Sequence, residues 1–211
     1  MEHSKIEYLL PEEIEKRSFE IITEELLMRN ISIPKEEELI TKRVIHTSAD
    51  FDYAETLCYS KGAVEILKEL IKNGADIVTD TNMALAGINK KALTKFGGEA
   101  HCFMADEEIA LLAKQRNVTR AAVSMEKAAK IEKPVVFAIG NAPTALIKLY
   151  EMIEKLDWKP AFIIGVPVGF VNVEAAKELI LKTNIPYIIN RGRKGGSNIA
   201  AAICNAVLYQ V

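Results

Sequence analysis

From Asp76 onward the chain repeats one pattern: a short apolar run, a loop, then a stretch with helical spacing. The runs are "DIVTDT", "EAHCFM", "PVVFAIG", "PAFIIGVP" and "IPYIINRG". Apolar residues at consecutive rather than alternate positions ask for burial on both faces, and helices between them supply the crossovers that parallel strands need. The pattern predicts an α/β, three-layer fold with a mainly parallel five-stranded sheet covered by helices. The longest interval, 106–133, reads as two helices joined near Asn117. The patterning changes once, near Asp76, so we expect one domain over 1–211, with a helical part to about 75 and the alternating part from about 76.

That N-terminal helical segment begins at Pro11, a residue suited to a first helical turn. Ile14, Ser18, Ile22 and Leu26 recur every fourth position with Ile21 beside them, which places Ser18 on the face the helix buries. A second helix is expected from about Lys35 to His46. A third should run from Ser60, a good N-cap, to Gly74, a good C-terminal stop.

Charge and cysteine usage narrow the function classes. With 27 Lys and Arg against 29 Asp and Glu there is no bulk field to draw the chain to nucleic acid or a membrane surface, so any anion site must be local. Cys58, Cys102 and Cys204 are odd in number, widely spaced and free of a CxxC pair, as befits isolated thiols in a reducing compartment. The opening "MEHSKIEYLLPEE" lacks the features of a signal peptide, and "AFIIGVPVGFV" is too short to span a bilayer. A cytoplasmic protein is expected.

In parallel α/β folds ligands collect outside the carboxyl ends of the strands. The loops there, "TDTNMALAG", "GNAPTAL", "GVPVGF" and "NRGRKGGSN", hold the most unusual residues and point to one composite site. In "GNAPTAL", Pro143 suits a helix start and leaves Asn141 and backbone N–H groups to face a ligand. In the last loop Arg191, Arg193 and Lys194 stand beside Gly192, Gly195 and Gly196 where a helix begins near Ser197, and no Asp or Glu follows Glu178. A helix N-terminus favours negative charge, and a glycine such as Gly195 lets backbone come close, so the loop reads as an anion site. "KGGS" departs from GxxxxGK[ST], and no GxGxxG follows the first strand, which leaves nucleotide binding weakly supported. Carboxylates suit the arginine forks as well as phosphate does.

Metal and covalent catalysis fit poorly. His3, in a tail, and His101, inside an expected strand, share no ligand spacing with His46 or with clustered carboxylates, and neither GxSxG nor a Cys–His pairing stands out. His101 reads as a core or pocket-wall residue. His46, in "RVIHTSADFDY", is the best acid or base, because imidazole exchanges a proton near neutrality and the polar turn leaves it accessible. Asp50 or Asp52, if near, would favour its cationic form.

Taken in order, "RVIHTSADFDY", "GNAPTAL", "GVPVGFV" and "RGRKGGSNIAAAICNA" resemble the signature stretches of the precorrin-8X methylmutase family, also called cobalt-precorrin-8 methylmutase. The resemblance extends from the first helix to the last. It implies a late step of cobalamin biosynthesis: transfer of a methyl group from ring carbon 11 to ring carbon 12 of precorrin-8X or cobalt-precorrin-8, giving hydrogenobyrinate or cobyrinate, with no cofactor. It further implies a homodimer, for which the small residues of "NIAAAICNAVLYQV" offer a close-packing face. Through "IHT" it assigns the catalytic histidine to His46, through "RSFEII" a substrate-site serine to Ser18, and through "NVTRAA" a substrate-site arginine to Arg120. The family's "ESKE" is here "EAAKE", Glu174 to Glu178, so no contact carries over to Glu174. The implied chemistry agrees with the loops. A flat macrocycle edged by acetate and propionate arms needs an apolar slot and cationic donors, and a proton given to the ring promotes the shift. A non-catalytic binder of corrinoids or other polycarboxylates would use the same slot and loop without a protonating histidine.

Overall fold

The structure, a computed structural model, describes residues 8–156 and 158–211, so His3 lies outside the described residues. Two long helices come first, α1 (Pro11–Met28) and α2 (Glu38–Ser48), followed by the short α3 (Tyr53–Thr56), strand β1 (Leu57–Tyr59) and α4 (Ala63–Lys72). The alternating part follows: β2 (Asp76–Thr79), α5 (Asn82–Gly87), α6 (Lys90–Thr94), β3 (Ala100–His101), α7 (Glu107–Arg116), α8 (Arg120–Ala128), β4 (Val135–Ile139), α9 (Pro143–Leu156), β5 (Phe162–Gly165), α10 (Val173–Leu181), β6 (Tyr187–Asn190) and α11 (Ser197–Leu208).

The strands form one sheet in the order β1-β6-β5-β4-β2-β3. All neighbours are parallel except β1, which pairs antiparallel with β6. All five expected strands are present, and every residue of β2, β4 and β5 is buried, as two-sided cover demands. A sixth strand corrects the expected count. "LCY" in β1 is only half-buried and three residues long, so it carries no apolar run; it is held at the edge by β6, with the Arg191 N–H donating to the Thr56 carbonyl at 2.9 Å. The other edge, β3, is reduced to Ala100 and His101, both half-buried rather than core.

Helices cover both faces. On one side α2, α4 and α11 meet the sheet through Val44, Ile45, Leu67, Ile199 and Ile203; on the other, α8, α9 and α10 do so through Met125, Leu146, Leu149 and Ile180. Ten of the twelve residues of α11 are buried. Its small residues allow neighbours within this chain to come close: a Cβ on Gly87 would lie 2.8 Å from the Ala201 Cβ.

The N-terminal helices differ from expectation in detail. Ile22 and Leu26 of α1 are buried, but Ile14 is 53% exposed and Ser18 half-buried, because only the second half of α1 reaches the core. The Ser18 hydroxyl donates to the Ile14 carbonyl at 2.9 Å. The second helix begins at Glu38, after a turn. The third begins at Ala63 because Gly62 adopts φ 69°, and the Ser60 hydroxyl accepts the Tyr187 N–H at 2.9 Å instead of capping a helix. Gly74 ends that helix as expected, at φ +78°. Asn117, at φ 52°, joins α7 and α8. Among the described residues no helix is long and apolar enough to cross a membrane.

Candidate active site

The four strand-end loops interlock. Asp80, which follows β2, is 1% exposed and accepts the backbone N–H groups of Gly140, Asn141 and Ala142 at 2.8, 2.8 and 2.5 Å. The N–H groups expected to face a ligand thus face this carboxylate, which ties the end of β2 to the start of α9. Burial pushes the Asp80 carboxyl above its usual range, against the opposing pull of the N–H donors. Beside it the Thr81 and Ser197 hydroxyls bond at 2.7 Å, fixing the start of α11. The β5 loop joins through Gly196 N–H to the Val166 carbonyl at 2.9 Å and Gly169 N–H to the Arg193 carbonyl at 3.2 Å. Gly195 serves this junction, since a Cβ there would lie 2.0 Å from the Val166 oxygen.

The basic loop is fully engaged by carboxylates of the same chain. Arg191 Nε lies 3.2 Å from Glu178, and Arg193 Nε donates to Glu174 at 2.9 Å with its guanidinium over the Phe170 ring. Lys194 reaches across to the turn after α2, where its ammonium donates to Asp50 and Asp52, both at 2.6 Å. That ammonium holds the Asp50 carboxyl below the usual carboxylate range, and the two carboxylates raise Lys194. From below the loop, Lys177 of α10 donates to the Gly192 and Lys194 carbonyls at 2.7 and 2.9 Å, and the Asn190 amide donates to those of Arg191 and Lys194.

His46 stands exposed on the last turn of α2. Its ring stacks on Phe19 of α1, 5.5 Å between centroids and 17° between planes. Arg43 lies over the same phenyl ring at 4.8 Å and donates to Glu15 at 2.8 Å. The Glu15 carboxyl is held low, chiefly by Arg43, and His46 adds to that pull. So Glu15 is a carboxylate with electrostatic reach to His46, whereas Asp50 and Asp52 are directed at Lys194. His46 and Ser18 border a hollow of about 440 Å³ with apolar walls from Ile21, Ile22, Ile45 and Phe51 and a polar rim that includes Arg29. The turn that follows is tied to β6 a second time, where the Thr56 hydroxyl donates to the Asn190 side-chain oxygen at 2.7 Å.

The expected residues therefore fall into groups. Ser18 and His46 share the hollow, and Lys194 is latched to the turn beside it. Arg191 and Arg193 point to α10 instead. Arg120 and Asn141 are exposed at neighbouring helix starts, joined by the Thr119 hydroxyl, which caps α8 and donates to Thr144 at 2.9 Å. His101, read as a core or pocket-wall residue, is half-buried on the edge strand β3, where Nε2 lies 3.1 Å from Asp76 and the ring stacks on Phe103.

Phe19, Asp80 and Lys177 were not singled out from sequence. Two of the three carry a local signal. Asp80 interrupts a strand end as "TDT", and Lys177 shares the apolar stripe of α10 with Val173, Ala176 and Ile180, where a lysine is out of place. Phe19 has none, because an aromatic beside a helix serine is ordinary.

Known proteins resemble this chain in sequence and in fold. The family model described as precorrin-8X methylmutase matches residues 13–210. A cobalt-precorrin-8 methylmutase of Priestia megaterium is 42% identical over 197 residues, covering 93% of this chain and 87% of the relative. A precorrin-8X methylmutase of Pseudomonas aeruginosa is 36% identical over 196 residues, covering 92% of this chain and 93% of the relative. The crystal structure of precorrin-8X methylmutase from Thermus thermophilus superposes with a TM-score of 0.82 at 34% identity, covering 93% of this chain and 96% of the other. With matches that span nearly its whole length in sequence and in fold, the chain belongs to the precorrin-8X methylmutase family.

Proposed function

We propose that this protein is a methylmutase of cobalamin biosynthesis that moves a methyl group from ring carbon 11 to ring carbon 12 of precorrin-8X or its cobalt counterpart, with His46 as general acid. The observation that carries this reading is the exposed, ring-stacked imidazole at the rim of an apolar hollow. Phe19 fixes the plane of the imidazole, and the apolar walls take part of a flat ligand. Substrate and product have the same formula. The bond from carbon 11 to the methyl group breaks as the bond to carbon 12 forms, and a proton lent to the macrocycle is returned afterwards. Such a proton draws electron density through the conjugated ring and lowers the barrier to the shift. Adding the purified protein to precorrin-8X and following the visible spectrum tests the reaction. The methylmutase changes the chromophore of many equivalents per protein, whereas a binder shifts it once, in proportion to protein.

The basic loop, on this reading, receives substrate carboxylates, with Arg120 and Asn141 adding donors from the neighbouring helix starts. Loss of one charge-assisted hydrogen bond costs about 1.5 to 3 kcal/mol, or roughly ten- to a hundredfold in affinity. Arg191 and Arg193 must exchange Glu178 and Glu174 for the ligand, which places Arg191→Ala and Arg193→Ala near the lower figure. Titration with hydrogenobyrinate measures this, and wild-type affinity in both variants would reduce the loop to a solvated turn.

We also infer a homodimer. The small residues of α11 are buried within the chain, so the surface to be covered is α1 with the residue that precedes it, where Leu10, Ile14 and Ile21 are exposed. Light scattering at micromolar concentration should give twice 23.4 kDa. A monomer mass would overturn it.

A further inference from the structure

Lys177 is a buried cation that the proposed chemistry does not use. Its side chain is fully shielded from solvent, yet among the described residues it has within hydrogen-bond range two carbonyls, of Gly192 and Lys194, and no carboxylate. Burial pushes it down to about 8, with Glu174 pulling the other way, so it keeps its proton near neutrality. An ammonium in such a place is costly, and a purely packing role would be met by methionine at the same volume. What it touches is the segment that carries all three cations of the loop. Gly192, at φ +73°, would have open space around a Cβ, so the loop is not held by packing at its tip. It is held from inside, by Lys177 and by the Asn190 amide, which share the Lys194 carbonyl.

We propose that Lys177 is the positioning residue of the basic loop: by gathering the Gly192 and Lys194 carbonyls it sets the directions in which Arg191, Arg193 and Lys194 leave the backbone. Its charge, set behind the loop, adds to the positive field that a carboxylate meets in front. This role rests on the reading that the loop receives substrate carboxylates, and the test separates the two.

Turnover of precorrin-8X is measured for the wild type, Lys177→Met, Lys177→Arg and Arg193→Ala. With the gathering donor gone, Lys177→Met should raise KM about tenfold or more and keep kcat within about threefold, because the loop binds the arms and not the reacting carbons. Amides at 192–196 should exchange faster in the ligand-free variant while those of β4 stay protected. Lys177→Arg, which keeps the charge and the donors, should recover most of the KM. A wild-type KM in Lys177→Met alongside a raised KM in Arg193→Ala overturns the positioning role and leaves the loop's function standing. Unchanged KM in both variants overturns the carboxylate reading itself. If Lys177→Met does not fold, Lys177→Gln, whose shorter amide cannot bridge both carbonyls, takes its place, and an unchanged KM there has the same force.

Discussion

His46→Asn is expected to remove most turnover, by about a hundredfold or more, which is the usual contribution of a general acid. Binding of the tetrapyrrole should stay within a few fold, because the apolar walls of the hollow and the cationic loop are untouched. Stability should also hold. His46 is exposed at the rim of the hollow with its ring stacked on Phe19, and surface changes of this kind usually fall within about 0.5 kcal/mol. A general acid works only while protonated, so the wild-type rate should decline toward alkaline pH and the residual rate of the variant should lose that limb. Steady-state turnover with precorrin-8X, paired with a binding titration and a melting curve, reads all three. Conversion by His46→Asn at close to the wild-type rate would end the general-acid mechanism. A joint fall in binding and melting temperature would make the residue structural.

Asp80→Ala should be the most damaging substitution to the fold among the strand-end residues. It removes a carboxylate that is almost wholly buried and leaves the N–H groups of Gly140, Asn141 and Ala142 without their acceptor. Leaving such donors without an acceptor costs about 1 to 3 kcal/mol each where water does not replace it, so a loss of about 3 to 5 kcal/mol is expected for the three together. For a chain of this size each kcal/mol lowers the melting midpoint by about 2 to 4 °C, so a fall of roughly 10 °C is expected. Asp80→Asn should lie between, since the amide oxygen still accepts while its NH₂ opposes a donor. Thermal unfolding followed by circular dichroism checks the order. A midpoint within about 2 °C of wild type for Asp80→Ala would mean that water or backbone movement satisfies those donors.

The comparison of sequence with structure divides along the range of the interactions. The strands β2, β4, β5 and β6 were legible because two-sided burial writes itself into consecutive apolar residues. β1 was not, because an edge strand of three half-buried residues is defined by its partner β6 and not by its own composition. Ser60 has the chemistry of a cap, yet its hydroxyl is taken by Tyr187, a residue 127 positions away that no local pattern announces. The site divides in the same way. His46 was legible as a polar, titratable residue before a polar turn. That Lys194 would meet Asp50 and Asp52 was not, since the separations are 144 and 142 positions. Asn141 was read as facing a ligand together with the N–H groups of its loop, but its own backbone N–H is taken by Asp80.

The place of α11 has a consequence for how the chain comes to be folded. This helix lies against α2, α4 and α5 and fills the core beneath them, yet all six strands separate α2 from it in the chain, five separate α4 and four separate α5. As the chain leaves the ribosome, the apolar flank of the early helices has no cover until Ser197 to Leu208 arrive, however well each helix forms alone. Native contacts of such long sequence separation slow folding and lengthen the life of sticky intermediates. The nascent chain should therefore depend on chaperones that shield apolar surface, and should gain protease resistance late and all at once rather than by a stepwise advance from its N-terminal end.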